Sequence, residues 1–344
     1  MPKAMKKVRF VKRLAKTVAA ADGKSRNGAK PKKTRAGKRR QRRQGTKPPF
    51  GYYGAKQRLA PEILETLPPH NAWVEAFCGS AAITLAKSAA PIEVINDLDG
   101  NIVNFFRVLR KSPKALARAI ELTPYARDEF VTAGRKREKL SQLERARRFL
   151  ARTMMTVNGD AHDAGFSYSS SYSRDGKEAR VNRWHNLPDR LIGIAERLRD
   201  VRVESLDARR LLELFLDRPA TLVYLDPPYF VKRDHRYVID ANDEGFHREL
   251  LTLCNRASCM ILLSGYDTPL YKKMLRADMG WKRVSIKTHT RDTNGKDYVR
   301  HEVLWQNKHF AKAAKSGRIN IRLTKAEARD GKVNPPRGRR SVAA

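Results

Sequence analysis

Leu222-Val223-Tyr224-Leu225-Asp226-Pro227-Pro228-Tyr229 is the stretch on which the reading of this 344-residue chain turns. With Ala220 and Thr221 before it, the apolar run reads as a buried strand that ends in a carboxylate, two prolines and an aromatic. The prolines hold the backbone and remove two N–H donors. Tyr229 adds a flat stacking surface. A strand that stops in this way sets Asp226 in the crevice at its carboxyl edge, as part of a rigid rim for a flat heterocycle. An amine held there could donate to the carboxylate and to a backbone carbonyl and keep its lone pair facing outward. Taken alone, the tetrapeptide is also compatible with a plain Pro-rich turn.

Outward from this stretch the pattern alternates strand and helix, which predicts an α/β sheet. Strands are expected at Trp73–Phe77, Ile92–Asn96, Val201–Glu204, Leu222–Leu225, Met260–Leu263 and Lys282–Ile286. Val299–Gln306 is expected to close the sheet beside Lys282–Ile286 as an antiparallel edge. Helices are expected at Ala81–Ser88, Leu98–Arg110, Leu143–Val157, His247–Arg256 and Pro269–Asp278, with Phe149, Leu150, Thr153 and Met154 on one face. Asn158–His185 breaks the rhythm. It is rich in Gly, Ser, Tyr and Arg and has no sustained period, and loops of that length inside a domain are usually functional. Tyr168, Tyr172, Arg174 and Arg183 offer phenols and cations to phosphates and base edges. An exposed variable loop is the competing reading.

Val74–Ala82 reads as a strand, a small-residue turn and a helix start, which lets backbone come close to a ligand. Asp97 ends the next strand 18 residues after Gly79, where a carboxylate suits ribose hydroxyls. These residues support an adenosine-containing ligand. They leave nicotinamide dinucleotides and S-adenosylmethionine both open, although the single glycine of Gly79-Ser80-Ala81 disfavours the dinucleotide.

From about Phe50 to Trp305 the chain resembles the DNA adenine methylases of the D12 class. Phe50-Gly51-Tyr52-Tyr53-Gly54-Ala55-Lys56 is similar to that family's F-x-W-x-G-G-K segment, and Val74-Glu75-Ala76-Phe77-Cys78-Gly79-Ser80-Ala81 to its E-P-F-x-G-x-G loop. Ile95-Asn96-Asp97, Glu204-Ser205-Leu206-Asp207 and Asp226–Tyr229 follow in the same order. The resemblance implies a Rossmann-like methyltransferase sheet, mostly parallel with an antiparallel edge, that uses S-adenosylmethionine and no metal. It implies Asp226, Pro227, Pro228 and Tyr229 as the catalytic motif acting on a flipped-out adenine of double-stranded DNA at a short specific sequence. On the cofactor side it implies Tyr52 as the contacting aromatic, Lys56 as the motif lysine, Asp97 as the ribose acid and Asp226 as a border to both ligands. Glu75, Phe77 and Gly79 would shape the pocket. Asp207 would lie near the cofactor's adenine ring, or simply cap the helix beginning at Ala208. The chain departs from the pattern at Tyr52, Ala55, Ala76 and Ala81, where the family has Trp, Gly, Pro and Gly. The implied layout is a catalytic domain in 50–110 and 191–306 and a largely helical target-recognition insertion in 111–190. Alternatives are a cytosine-N4 or RNA adenine methylase, or a basic binding protein with an inactive core. A cognate restriction nuclease is left undefined.

Composition points the same way. Formal net charge is +36, and so basic a chain seeks a polyanion, nucleic acid first. Residues 1–49 hold 19 Lys and Arg against the single acid Asp22. They read as a disordered nucleic-acid-binding arm that gains affinity by counterion release at phosphates. A targeting segment or a solvated tail are the other readings. The stretch 307–344 reads as a second loose basic tail. No segment nears the roughly 20 apolar residues of a membrane span, so no membrane partner is expected. Cys78, Cys254 and Cys259 imply a reducing compartment and neither a disulfide framework nor a zinc site. A cytoplasmic, nucleoid-associated setting follows if the source is prokaryotic or viral.

Overall fold

The structure, a computed structural model, describes residues 45–51, 56–135, 139–156, 165–169, 171–173, 176–228, 243–265, 267–291 and 297–318. Within them the strands are β1 (Ala72–Glu75), β2 (Ile92–Asn96), β3 (Val201–Glu204), β4 (Thr221–Leu225), β5 (Met260–Gly265), β6 (Lys282–Arg291) and β7 (Asp297–Gln306). The helices are α1 (Ala60–Thr66), α2 (Ala82–Ala86), α3 (Gly100–Lys111), α4 (Pro113–Glu121), α5 (Arg127–Gly134), α6 (Gln142–Met154), α7 (Ala179–His185), α8 (Leu187–Arg197), α9 (Ala208–Glu213), α10 (Glu244–Arg256), α11 (Pro269–Met274) and α12 (Lys308–Ser316). No helix among the described residues is long and apolar enough to cross a membrane.

The strands form one sheet in the order β3-β2-β1-β4-β5-β7-β6. The first five are mutually parallel. β7 runs antiparallel to both β5 and β6. It therefore lies beside β6 as expected, and β6 takes the outermost place. The chain direction of the winding reverses between β1 and β4, which pair through Ala72↔Thr221 to Glu75↔Tyr224. A parallel sheet opens its ligand crevice at the carboxyl ends of the strands at such a switch point.

Both faces of the sheet are covered, and the two-residue period of the strands sorts side chains between them. Val74, Val94, Val223, Leu225, Ile261 and Leu263 face α9, α10 and α11 through Leu211, Leu250, Cys254 and Leu270. Trp73, Leu222, Tyr224, Met260, Leu262 and Leu304 face the other way, onto Ile63 of α1 and Phe310 of α12. Beside them Ile95 joins a third cluster, built from α3 to α8 around Phe105, Phe106, Phe149, Leu150, Trp184 and Leu191. The described residues of 111–190 are largely helical, and α4 to α8 share an apolar core with α3. Part of the expected loop Asn158–His185 is ordered as α7. Glu178 caps that helix by accepting from the Val181 amide at 2.7 Å, and Trp184 Nε1 donates to the Thr123 carbonyl at 2.7 Å.

Both ends of the packed body extend past the boundaries that charge alone suggests. Residues 45–49, read as the end of the basic arm, are packed. Thr46 N donates to Leu85 O at 2.9 Å, and a Cβ on Gly45 would lie 2.6 Å from the Ala86 carbonyl oxygen. Phe50 is 2% exposed and meets Phe105 and Phe149 edge-on. Residues 1–44 lie outside the described part. At the other end Lys308–Ser316, expected to belong to the loose tail 307–344, form α12, because Phe310 and Ala313 complete an apolar stripe; residues 319–344 lie outside the described residues. The Asn307 side chain accepts from Phe310 N at 2.9 Å and Ile261 N at 3.1 Å, and donates to Cys259 O at 2.9 Å. Replacing it by alanine removes a helix cap and leaves two buried backbone groups without partners. Asn307→Ala should cost about 2–3 kcal/mol, read as a lower urea midpoint at unchanged slope.

Candidate active site at the carboxyl edge

Four strand ends deliver four carboxylates to one edge: Glu75 ends β1, Asp97 follows β2, Asp207 follows β3 and Asp226 follows β4. One buried amide joins three of these ends. Asn96 Nδ2 donates to Ala76 O and Leu206 O, both at 2.9 Å, and its Oδ1 accepts from Leu206 N at 2.8 Å. Cys78 N donates to Asn96 O at 2.8 Å and so brings the turn after β1 onto the end of β2. That turn is tight. Gly79 has φ 47° and Ala81 has φ 54°, so a non-glycine residue stands in the left-handed region, which costs of order 1 kcal/mol or more.

Asp97 sits against this turn. Its Oδ2 accepts from Gly79 N at 2.9 Å and its Oδ1 from Asp99 N at 3.0 Å. Burial pushes its carboxyl up to about 6 against the opposing pull of those two amides. A carboxylate has about four acceptor sites, so it retains capacity for ligand hydroxyls. The neighbouring Ser80 hydroxyl is buried and has no hydrogen-bond partner among the described residues. A buried hydroxyl without a partner among the described residues, beside a carboxylate with acceptor capacity left, is compatible with an adenosine-bearing ligand, and the residues fit one.

Glu75 has a different task. It accepts from Thr84 N at 3.0 Å and from Thr84 Oγ1, which in turn accepts from Trp73 Nε1 at 2.7 Å. Burial raises its carboxyl to about 7, with the Thr84 bonds pulling the other way. The side chain braces β1 against α2. Phe77 is half-buried and meets Phe246 of α10 edge-on at 6.4 Å. Asp207 caps α9 by accepting from Arg209 N at 2.8 Å, and the Arg209 guanidinium grips it at 2.7 and 2.9 Å. The capping role weighed from the sequence is therefore present. Arg209, Arg248 and Glu249 join Asp207 around an open cleft of about 790 Å³.

At the centre of the edge is an ionic group that joins segments far apart in sequence. Lys56 Nζ lies 2.8 Å from Asp226 Oδ2 and 3.2 Å from Glu302 Oε1. Ser264 Oγ, at the end of β5, donates to the same Glu302 oxygen at 2.8 Å. Lys56 is 7% exposed. Burial works against its ammonium, but Asp226, then Tyr224 and Glu302, hold the pKa above the usual lysine value. Pro227 is buried directly behind Asp226. Nothing in the local sequence pattern marks Glu302 or Ser264 as site residues beyond a carboxylate set in β7 just before the apolar run Val303-Leu304-Trp305.

Of the remaining expected site residues, Tyr168 and Tyr172 are exposed, at 76% and 78%, and Arg183 is exposed on α7. Tyr52, Arg174 and Tyr229 lie outside the described residues. No group of three or more His, Cys, Asp or Glu among the described residues is arranged to hold a metal ion.

Comparison with known proteins identifies relatives. The profile of the D12 class N6 adenine-specific DNA methyltransferases matches residues 52–290. The Type II methyltransferase M1.LlaDCHI of Lactococcus lactis subsp. cremoris is 23% identical over 243 residues, which span 65% of this chain and 82% of that one. Among solved structures, a putative RNA methyltransferase from Pyrococcus horikoshii aligns over 86% of this chain and 97% of its own at 9% identity and TM-score 0.32. A SAM-dependent methyltransferase from Agrobacterium tumefaciens aligns over 73% and 59% at 12% identity and TM-score 0.30.

The raised carboxyls of Glu75 and Asp97 fix the sign of a pH effect. Each holds its proton in the folded chain after the unfolded chain has released it. Their contribution to stability is therefore lost as pH rises from the ordinary carboxylate range to about 7 for Glu75 and about 6 for Asp97, and is level above. Glu75→Gln should gain on the wild type in urea midpoint as pH rises through that window, with the gap constant beyond it. A gap independent of pH would show that Glu75 is ionised in the fold.

Proposed function

Because the chain belongs to the D12 class of N6 adenine-specific DNA methyltransferases, we propose that the edge around Asp226 is where it moves the methyl group of S-adenosylmethionine to the adenine N6 amine. The observation that carries this reading is Asp226 itself, set at the end of β4 at the switch point of the sheet and gripped by Lys56 at 2.8 Å. S-adenosylmethionine, when bound, supplies an electrophilic methyl on a sulfonium that leaves as a neutral thioether. Asp97 would hold the ribose, and the Gly79–Ala81 turn with the Ser80 hydroxyl would hold the adjoining polar groups. Lys56 acts on the carboxylate Asp226, and Glu75 acts as a brace.

The N6 lone pair is delocalised into the purine, so the protein's task is orientation and electrostatics. Correct alignment is worth roughly 7–11 kcal/mol. Lys56 fixes one oxygen of Asp226 and with it the plane of the carboxylate. The other oxygen and the Pro227 carbonyl accept the two N6 hydrogens, which draws the nitrogen toward tetrahedral geometry and offsets its growing positive charge; once the methyl–sulfur bond is broken, one of those hydrogens leaves the nitrogen as a proton to solvent. Pro227 and Pro228 keep that rim rigid, and Tyr229 stacks on the base. In duplex DNA the amine is enclosed, so the base turns out of the stack before reaction.

Segment 111–190 is the target-recognition region in this reading. The exposed phenols of Tyr168 and Tyr172 and the exposed Arg183 support it, since surface aromatics and cations serve base edges and phosphates. The name Type II methyltransferase carried by the Lactococcus relative supports a restriction–modification setting and a short specific duplex site. The basic residues 1–44 act as a sequence-blind arm on the phosphate backbone.

The test uses purified chain, labelled S-adenosylmethionine and duplex DNA of mixed sequence. Label should appear as N6-methyladenine, and absence of label on any adenine would end the proposal. Asp226→Asn should lower turnover by on the order of 10²–10³-fold while the donor still raises the melting temperature. Deleting residues 1–44 should flatten the salt dependence of DNA binding and leave the methylated sequence unchanged. A changed sequence would show that the arm reads bases.

A further inference from the structure

We propose that Glu302 is a positioning residue for methyl transfer: it sets the net charge beside Asp226 so that the Lys56–Asp226 pair can still stabilise a cation on the substrate amine. The inference rests on the reading of Asp226 as the acceptor of the N6 hydrogens.

The geometry poses a problem that Glu302 solves. An ammonium 2.8 Å from Asp226 Oδ2 orients the carboxylate but also cancels its charge. A neutral pair offers little to a nitrogen that becomes positive as the methyl arrives, and the ammonium itself repels that nitrogen. Glu302 adds a second carboxylate on the same Lys56 Nζ, at 3.2 Å. The trio then carries one net negative charge, and the pull of Lys56 is divided between two anions. Glu302 is held for this role from three sides. Its strand is locked between β5 and β6, with Gly265↔Val303 and Ile286↔Glu302 in register. Ser264 Oγ donates to its Oε1 at 2.8 Å, and its side chain is 12% exposed, so water screens it little. A carboxylate needed only to neutralise a buried lysine would be redundant here, because Asp226 already does so at shorter range. Glu75 and Tyr271 also bear electrostatically on the neighbourhood, Glu75 being coupled to Asp226 across the β1–β4 pair.

The experiment compares wild type, Glu302→Gln, Lys56→Met and the double variant in the labelled-methyl assay, with kcat, KM for duplex DNA and donor Kd measured for each. Glu302→Gln keeps an oxygen for Ser264 and removes only the charge. It should lower kcat by on the order of tenfold while KM and Kd stay within about twofold. The double variant, in which Lys56 no longer neutralises Asp226, should turn over faster than Glu302→Gln alone at unchanged KM and donor Kd, the sign of coupling that charge compensation predicts. An unchanged kcat in folded Glu302→Gln, a loss confined to KM, or a double variant slowed by the product of the single losses would each overturn the proposal. Should Glu302→Gln fail to fold, Ser264→Ala carries the test through the loosened anchor. A few-fold loss in kcat at constant KM supports the role, and an unchanged kcat overturns it. A wild-type chain that labels adenine N6 keeps the functional reading whatever Glu302 does; an inactive one overturns both.

Discussion

A buried ammonium must meet opposite charge or the fold pays heavily for it. Lys56 meets two anions, Asp226 and Glu302, and through them ties together the segment ahead of α1, the end of β4 and the reversed strand β7. Breaking such a group on one side would leave an uncompensated charge in a nearly dry place, so its three members hold one another in position. The reversed strand acquires a role from this. It finishes the sheet, and it also carries a carboxylate back to the edge where the parallel strands end.

The other acids at that edge divide by what satisfies them. Glu75 is spent on Thr84, and Asp207 on its own helix and Arg209. Asp97 accepts two backbone amides and keeps acceptor capacity toward the turn at Gly79. Asp226 is paired with a buried lysine that a second acid, Glu302, shares, whereas the Arg209 that Asp207 shares with Glu249 is part-exposed. Burial raises the carboxyls of Glu75 and Asp97, whereas the Arg209 guanidinium lowers that of Asp207. Four carboxylates delivered by four equivalent strand ends thus receive different chemistry from their neighbours. Asn96 makes this possible, because its single amide holds three of the strand ends in register.

Much of the sheet was legible beforehand. Ile92–Asn96 and Val201–Glu204 have the bounds their patterns indicate, because apolar runs closed by polar residues leave little choice of register. Charge was a poorer guide to boundaries. Residues 45–49 and 307–316 look like tail by composition, yet Phe50 and Phe310 anchor them to the core. Two or three buried aromatic or small contacts outweigh a locally polar composition, and a window of sequence does not reveal which surface waits for them. Asn158–His185 has no sustained period, yet α7 forms at its end because Trp184 finds a distant pocket closed by Thr123.

The order of strand, turn, carboxylate and proline belongs to the sequence by itself: short-range periodicity and proline's missing donor define where β4 stops and why Asp226 stands at a rim. The same local grammar marks the turn at Gly79 and the acid at Asp97. Which charges meet was decided only by the tertiary structure. Residues 56, 226 and 302 are far apart along the chain, and their contact follows from β7 inserting between β5 and β6. Low-dielectric pairing depends on distance in space, which no linear spacing encodes.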